Sequence, residues 1–365
     1  MIPIFILIVA AVFGLLHFAV FKALVSVFSI QNSQISNWLL VVFIILGSSF
    51  IIFSVVSNYS DNSFTRIGYT LSAVWFGVVV LMFLAACLYG VVVLIGHLIS
   101  PDFQTRWFGM ALLGIAITAG IYGLFHANSI VIREESVTIP GLPVAWQGTR
   151  AVVITDLHLG QVRGQGFVEE IVKKIAEIKP DIVFIPGDIF DGPKINAIEA
   201  LSPFRDLQTK RGIYVSTGNH DEFGSYNSFL DAISQAGIKV LDNKNELIDG
   251  VQIIGVNNKD SGQTSHYTGV LSALNIGEQP SILLKHQPTL LEISEKAGID
   301  LQISGHTHRG QFIPFNFITS FIFKGYDFGL KKFGNMDVLV SSGIGTWGMP
   351  MRIGTDSEIV ILNFK

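Results

Sequence analysis

The distribution of charge along this 365-residue chain limits its fold more than any other feature. Of its 24 Lys and Arg and 28 Asp and Glu residues, only Lys22, Asp61, Arg66, Asp102 and Arg106 fall within residues 1–126. A helix of about 20 apolar residues crosses a bilayer core of about 30 Å. Four such stretches are present, near 1–21, 37–57, 70–97 and 107–126, the third long enough to tilt or to run past the hydrocarbon. The first lacks the basic leader and small-residue cleavage site of a signal peptide and three more spans follow it, so it is read as retained.

We therefore expect an integral, multi-pass membrane protein, with an all-α transmembrane region of four helices at 1–126, a linker at 127–147 and a folded domain at 148–365. Four spans put that domain on the same side as the amino terminus. Positive residues flank the spans evenly, Lys22 and Arg106 against Arg66 and Arg133, and we take the cytoplasmic face as the expectation. The single cysteine, Cys87, lies in the third span and permits no disulfide within the chain. His17, His97 and His126 lie in or beside spans, where an ionisable group is either functional or interfacial.

Residues 148–365 are enough for one domain with its own core. The runs AVVIT, DIVFI and GIYVS read as buried strands. Between the first two, GFVEEIVKKIAEIKP places Phe167, Ile171, Ile175 and Ile178 on one helical face before Pro180 closes it, which makes a βαβ unit. Further helices are expected near 195–208, 225–236 and 288–297, and strands at 251–256, 281–285, 300–303, 337–341 and 358–363. That shift from alternation to strands suggests a mixed sheet or two packed sheets. The net charge of −4 argues against a general nucleic-acid binder.

Five short motifs carry the chemistry: TDLHLG (155–160), PGDIFDG (186–192), TGNHDE (217–222), KHQP (285–288) and SGHTHRGQ (304–311). The first three follow the buried runs, so their polar side chains project from strand ends, where open α/β folds build sites. Of the six histidines after residue 126, five fall inside these motifs; His266, in a polar stretch, reads as surface loop. Imidazole and carboxylate donors together suit Mn²⁺, Fe or Zn²⁺. Two such ions about 3.5–4 Å apart can clamp the attacking and leaving oxygens of a phosphoryl displacement.

The ordered set closely resembles the calcineurin-like metallophosphoesterases, whose pattern is DxH, GD, GNHD or GNHE, a lone His, then GHxH. The resemblance implies an α/β (α+β) fold, a four-layer αββα sandwich, preceded here by the four transmembrane helices. It implies two divalent metal ions, one held by Asp156, His158, Asp188 and His308 and the other by Asp188, Asn219, His286 and His306. Asp188 is then shared, and hydroxide is the nucleophile. By the same resemblance His220 contacts the phosphate and assists the leaving oxygen, with Asp221 orienting its imidazole. Gly187, Gly218 and Gly305 stand where the chain bends sharply or a backbone approaches the phosphate closely. Asp191 either orients a neighbouring His or is a turn residue.

Arg309 replaces a residue that is commonly small in this family, and either meets a substrate phosphate or faces solvent. Residues 312–334 hold seven Phe with Lys324, Lys331 and Lys332, and read either as an apolar lip that dips into the membrane interface or holds an acyl chain, or as an aromatic core segment or a pair of strands. GIGTWGMPMR, with Gly345, Pro350 and Arg352, resembles the closing segment of the membrane-associated branch, which includes or resembles UDP-2,3-diacylglucosamine hydrolases. The expectation is a membrane-anchored phosphoesterase acting on a phosphate ester or pyrophosphate, such as a lipid-linked nucleotide. The alternative is a membrane sensor that uses the metal site for ligand binding without turnover; the complete ligand set and His220 argue against it.

Overall fold

The structure, a computed structural model, describes residues 2–100, 104–192, 195–222 and 226–365. It divides into two compact units, Met1–His126 with Gly348–Ile353, and Ala127–Trp347 with Gly354–Lys365.

The first unit contains α1 (Ile2–Val27), α2 (Ser33–Ser57), α3 (Ser63–Ile99) and α4 (Arg106–His126). All four are long and apolar enough to cross a membrane. α2 and α3 begin several residues before their apolar runs, because polar caps set their starts. Asn32 accepts from the N–H groups of Gln34 and Ile35, and Asn62 forms a reciprocal capping box with Thr65. At about 1.5 Å per residue, α3 runs about 55 Å, well beyond one hydrocarbon core.

His17 is buried, with Nδ1 2.8 Å from the Phe13 carbonyl and Nε2 accepting from Trp75 Nε1–H at 3.1 Å. Both ring nitrogens are satisfied, so His17 ties α1 to α3 and is a packed structural residue. Gly348–Ile353, expected within the folded domain, instead packs among the helices. Met351 lies against Gly77, Ile353 against Gly123, and the Arg352 N–H donates to the Gly123 carbonyl at 3.0 Å. A Cβ on either glycine would meet those side chains within 3 Å.

In the second unit, β1 (Ile130–Val137), β2 (Arg150–Val153), β3 (Ile182–Pro186), β4 (Ile213–Ser216), β5 (Lys239–Val240) and β12 (Ser357–Phe364) form one sheet, ordered β1-β12-β2-β3-β4-β5. β6 (Lys244–Ile248), β7 (Val251–Val256), β8 (Ser281–Lys285), β9 (Leu301–Ser304), β10 (Gly329–Phe333) and β11 (Met336–Val340) form the other, ordered β10-β11-β9-β8-β7-β6. Within them β2-β3-β4-β5 and β11-β9-β8-β7 run parallel.

Period-two alternation builds the layers. Ala151, Val153, Ile182 and Phe184 face Ile253, Ile282, Leu284 and Ile303 between the sheets. Val152, Ile154, Val183 and Ile185 point outward onto helices, among them α5 (Gln165–Ile178), which buries Val168, Ile171, Ile175 and Ile178. Phe167 lies at the edge of that stripe, under the Arg163 guanidinium at 4.1 Å. The second sheet is covered by helices Thr264–Ala273 and Leu291–Lys296 through Tyr267, Leu271 and Leu291. The result is the expected αββα sandwich, although His266 rides on a helix rather than a loop.

The expected linker is corrected. Within 127–147, β1 pairs in parallel with β12 over eight residues, and the folded unit begins at Ala127. The alternation in IVIREESV is mostly polar because β1 is an edge strand with little to bury, which hid it from a hydrophobicity reading. Arg133 fastens it: Nε and Nη2 reach the Glu358 carboxylate at 2.9 and 3.1 Å, and that carboxylate also accepts from Ser341 Oγ and Ser342 N–H. Since Glu358 is buried, Arg133→Met strands a charge and should destabilise the β1–β12 edge by about 2–3 kcal/mol. Hydrogen exchange at β12 should report this as lost protection, partly restored by adding Glu358→Gln. Unchanged protection would show that the pair does not hold the edge.

Candidate metal centre

Every motif begins where a parallel strand stops. Asp156 and His158 follow β2, Asp188 follows β3, and Asn219 and His220 follow β4; His286 follows β8, and His306 and His308 follow β9. The carboxyl ends of both sheets thus supply the cluster. Backbone bonds lock neighbouring ends together: Asp156 N–H to Gly187 O at 3.1 Å, His158 N–H to Asp188 O at 3.2 Å, and Gly305 N–H to His286 O at 2.9 Å.

Asp156, His158, Asp188, His306 and His308 all have left-handed backbones, with φ of 55°, 48°, 52°, 72° and 47°. Such conformations cost roughly 1–3 kcal/mol each outside glycine and persist where surrounding structure enforces them. Two glycines make the enforcement possible. Gly187, at φ 93°, would place a Cβ 2.7 Å from Gly218 N and His286 Nδ1, while a Cβ on Gly218 would overlap the Asp188 carboxylate.

The donors fall into three groups whose atoms lie within 4.8 Å of one another: Asp156 with His158 and His308, Asp188 with His286 and His306, and His158 with Asp191 and His220. His158 Nε2 and His308 Nε2 are 3.0 Å apart, and His308 Nε2 is 3.4 Å from Asp156 Oδ1. Ligands about 2.1 Å from one ion stand about 3.0–3.4 Å apart, so these spacings fit the edges of a coordination shell. Asp188 Oδ2 lies 3.0 Å from His286 Nε2 and 3.8 Å from His158 Nε2, between the first two groups. His286 Nδ1 lies 2.7 Å from Pro186 O, a backbone bond that turns Nε2 toward the carboxylates. Asn219 Oδ1 is buried with no hydrogen-bond partner among the described residues.

The electrostatics ask for a cation. Burial alone would depress the His286 pKa, but Asp188 and Asp156 overcome it and push it up to about 9. His306 goes the other way, down to about 3, through burial and then the positive charge on His286. Without an added ion, one imidazolium carries the positive charge that two buried carboxylates demand. The donor set, the orphaned amide oxygen and this unmet demand fit divalent metal ions.

The expected role of Asp221 is corrected. Its carboxylate points away from His220 and accepts the N–H groups of Gly218, Asp188, Ile189 and Phe190 at 2.8–3.0 Å. It grips the backbone that presents Asp188. Asp191 instead meets His220, with Oδ1 3.1 Å from Nδ1. The His220 ring stands 4.8 Å from that of His158, and Trp347 lies edge-on to it at 6.1 Å. The Arg309 guanidinium stacks on Phe328 at 4.2 Å, with Arg133 also 4.8 Å from that ring.

Sequence reasoning missed Trp347 and Lys285. The buried Lys285 ammonium pins the loop after β8 by donating to Gln287 O, Thr289 O and Thr289 Oγ1. A lysine immediately before the motif histidine, after the apolar run Ile282–Leu284, was the signal available.

Residues 149–310 match the calcineurin-like phosphoesterase family. Over 99% of its length the chain is 27% identical to an uncharacterized metallophosphoesterase of Campylobacter jejuni, 98% of which is covered. It is 30% identical over 69% of its length to an uncharacterized metallophosphoesterase of Aquifex aeolicus, 98% of which is covered. A transmembrane protein with metallophosphoesterase domain of Danio rerio is 30% identical over 71% of this chain and 63% of that protein.

The two aspartates should separate experimentally. Burial lowers the His220 pKa, but the Asp191 hydrogen bond and the charges of Asp188 and Asp191 leave it raised. In metal-free protein, Asp191→Asn should lower it by about one unit in a histidine NMR titration. Asp221→Asn should leave that titration in place and instead weaken the fold by about 1–3 kcal/mol, because buried N–H groups lose an acceptor. The reverse pattern would restore the original assignment.

Proposed function

The chain belongs to the calcineurin-like phosphoesterase family and is a membrane-associated, metal-dependent phosphoester hydrolase; on that premise we propose which residues do the work and on what. Asp156, His158, Asp188 and His308 hold one divalent cation, and Asp188, Asn219, His286 and His306 a second. Imidazole and carboxylate donors suit Mn²⁺, Fe or Zn²⁺. Such a pair, when bound, lowers the pKa of water to about 7 and neutralises charge on phosphoryl oxygens.

The chain's own residues do the rest. Asp188 is the shared anion, held in place by the Asp221 grip on its backbone and by the His220 N–H on its Oδ1 at 2.9 Å. With Nδ1 engaged by Asp191, the His220 imidazole is oriented so that Nε2 donates to the leaving oxygen. Trp347 stands edge-on beside that imidazole. The substrate is a membrane-borne phosphate ester or pyrophosphate, such as a lipid-linked nucleotide of the UDP-2,3-diacylglucosamine kind. Four spans and an apolar segment next to His306 support that class. The hydrolase unit faces the cytoplasm, on the side of the amino terminus. One observation carries the reading: two cation-ready groups meet at Asp188, with an Asp191-oriented His220 beside them. A sensor would gain nothing from that oriented imidazole.

Detergent-purified protein, assayed on bis-p-nitrophenyl phosphate with Mn²⁺ and with chelator, tests this. Turnover should disappear with chelator, and Asp188→Asn should lose both bound metal and activity. His220→Ala should keep its metal while kcat falls about 10²–10⁴-fold. Tight metal binding by the wild-type chain without turnover of a diester, a monoester or a UDP-linked lipid would favour the sensor.

A further inference from the structure

We propose that helix Phe315–Ile322 is a membrane-inserting lip, through which the site takes phosphoesters directly from the headgroup region of an anionic bilayer. The proposal rests on the phosphoesterase reading for its substrate, but not for the insertion itself. The segment 312–334 divides between its sequence readings: Phe312 is buried and Gly329–Phe333 pairs as a strand with β11, but no residue of the helix between them is buried. Phe317, Ile318, Phe321 and Ile322 are 69%, 51%, 84% and 61% exposed, with Ile313 at 48% just before them. Their i, i+1, i+4, i+5 spacing puts the four helical residues on one face. A contiguous apolar face of this kind marks an interaction surface rather than ordinary protein exterior.

The face is rigidly tied to the metal centre. The segment follows His308 and Arg309 directly, and a Cβ on Gly310 would meet the Phe315 backbone 2.5 Å away. Thr307 Oγ1 donates to Asp327 O at 2.7 Å, closing the loop after the helix. Phe323, the residue that ends the helix, stands edge-on to His306 with ring centroids 6.0 Å apart. The exposed apolar face therefore continues, through Phe323, to a proposed metal ligand.

Charge and chain length identify the occupant. Residues 312–326 contain no Asp or Glu. Lys324 and Lys331 are exposed beside the helix, while Lys332 pairs with Asp337 at 3.1 Å and the nearest acid, Asp327, is buried and bonded to Thr319. Exposed aromatic and aliphatic side chains rimmed by lysines suit the headgroup and acyl boundary of an anionic leaflet. The chain is fixed to a membrane by four spans, and only residues 127–129 separate α4 from β1, a reach of about 10 Å. A lipid substrate could then keep its acyl chains in the bilayer while its phosphate reaches the metal ligands.

The test uses full-length protein in a Cys87→Ser background, carrying Phe321→Cys or, as a control, Leu247→Cys on exposed β6. Each is labelled with an environment-sensitive fluorophore and reconstituted into phosphatidylcholine vesicles with or without phosphatidylglycerol. The label at 321 should be quenched by brominated acyl chains, more with phosphatidylglycerol present, and shielded from aqueous iodide; the label at 247 should show the opposite. In addition, Phe317→Asp with Phe321→Asp should lower turnover of a vesicle-borne lipid phosphoester about tenfold or more, while kcat/KM on the soluble diester stays within about twofold. Iodide quenching at 321 equal to that at 247 overturns the proposal. So does self-quenching that tracks protein density, which would make the occupant a second copy, or an equal loss on both substrates. A wild-type chain that hydrolyses neither ester defeats the phosphoesterase reading, while the quenching still decides insertion.

Discussion

Two carboxylates, Asp156 and Asp188, are buried within a few ångströms of each other at the ends of adjacent strands, and the hydrolase unit is organised around that unfavourable fact. Burial pushes the Asp156 pKa up, while Asp188 stays below its usual range because the positive charge on His286 and its hydrogen bond to Asp188 outweigh the burial. An isolated buried anion is expensive, and this arrangement persists only with compensating donors and cations. The main-chain N–H of His306 supplies part of that compensation to Asp156, and the N–H of His220 supplies part to Asp188. Divalent ions complete it.

That requirement explains why two sheets are needed. One sheet end offers carboxylates, an amide and an imidazole; the other brings three further imidazoles to the same place. Their relative position is set by the inter-sheet core, where Val153 and Phe184 oppose Leu284 and Ile303, so site geometry is fixed by close-packed side chains rather than by loops alone. The left-handed residues after β2, β3 and β9 represent a cost that this core and the cross-strand backbone bonds outweigh. Asp221 belongs to the same economy of support: it is fully buried and its pKa is raised to about 7, first by burial and then by Asp188, yet four main-chain donors hold it in place.

What could be read from sequence follows from how strictly chemistry limits each role. Few residue types can ligate a metal, so Asp156, His158, Asp188, Asn219, His286, His306 and His308 stood out as motifs, and the structure brings the two aspartates and four histidines among them into compact groups. Bracing a backbone or orienting an imidazole needs only an acceptor nearby in space. Adjacency therefore misled: Asp221 follows His220 in the chain but turns toward β3, while Asp191 reaches His220 from another loop. Hydropathy found the four spans yet misplaced the starts of α2 and α3, which polar caps determine. It could not find β1, whose polar edge-strand pattern lacks a buried face, nor helix Thr264–Ala273, where Tyr267 and Leu271 alone are buried.

Net charge also acts on a shorter scale than composition suggests. A value of −4 over the whole chain describes solubility and long-range repulsion, but exposed charges are screened beyond about 8 Å at physiological ionic strength. An approaching phosphate therefore responds mainly to what stands near the site. Once cations balance Asp156 and Asp188, the charge met by that phosphate is set within the cluster rather than by the whole-chain sum. Phosphate recognition here needs no basic surface of the kind a nucleic-acid binder spreads over a face, because the attraction is concentrated in a buried, pre-shaped cluster.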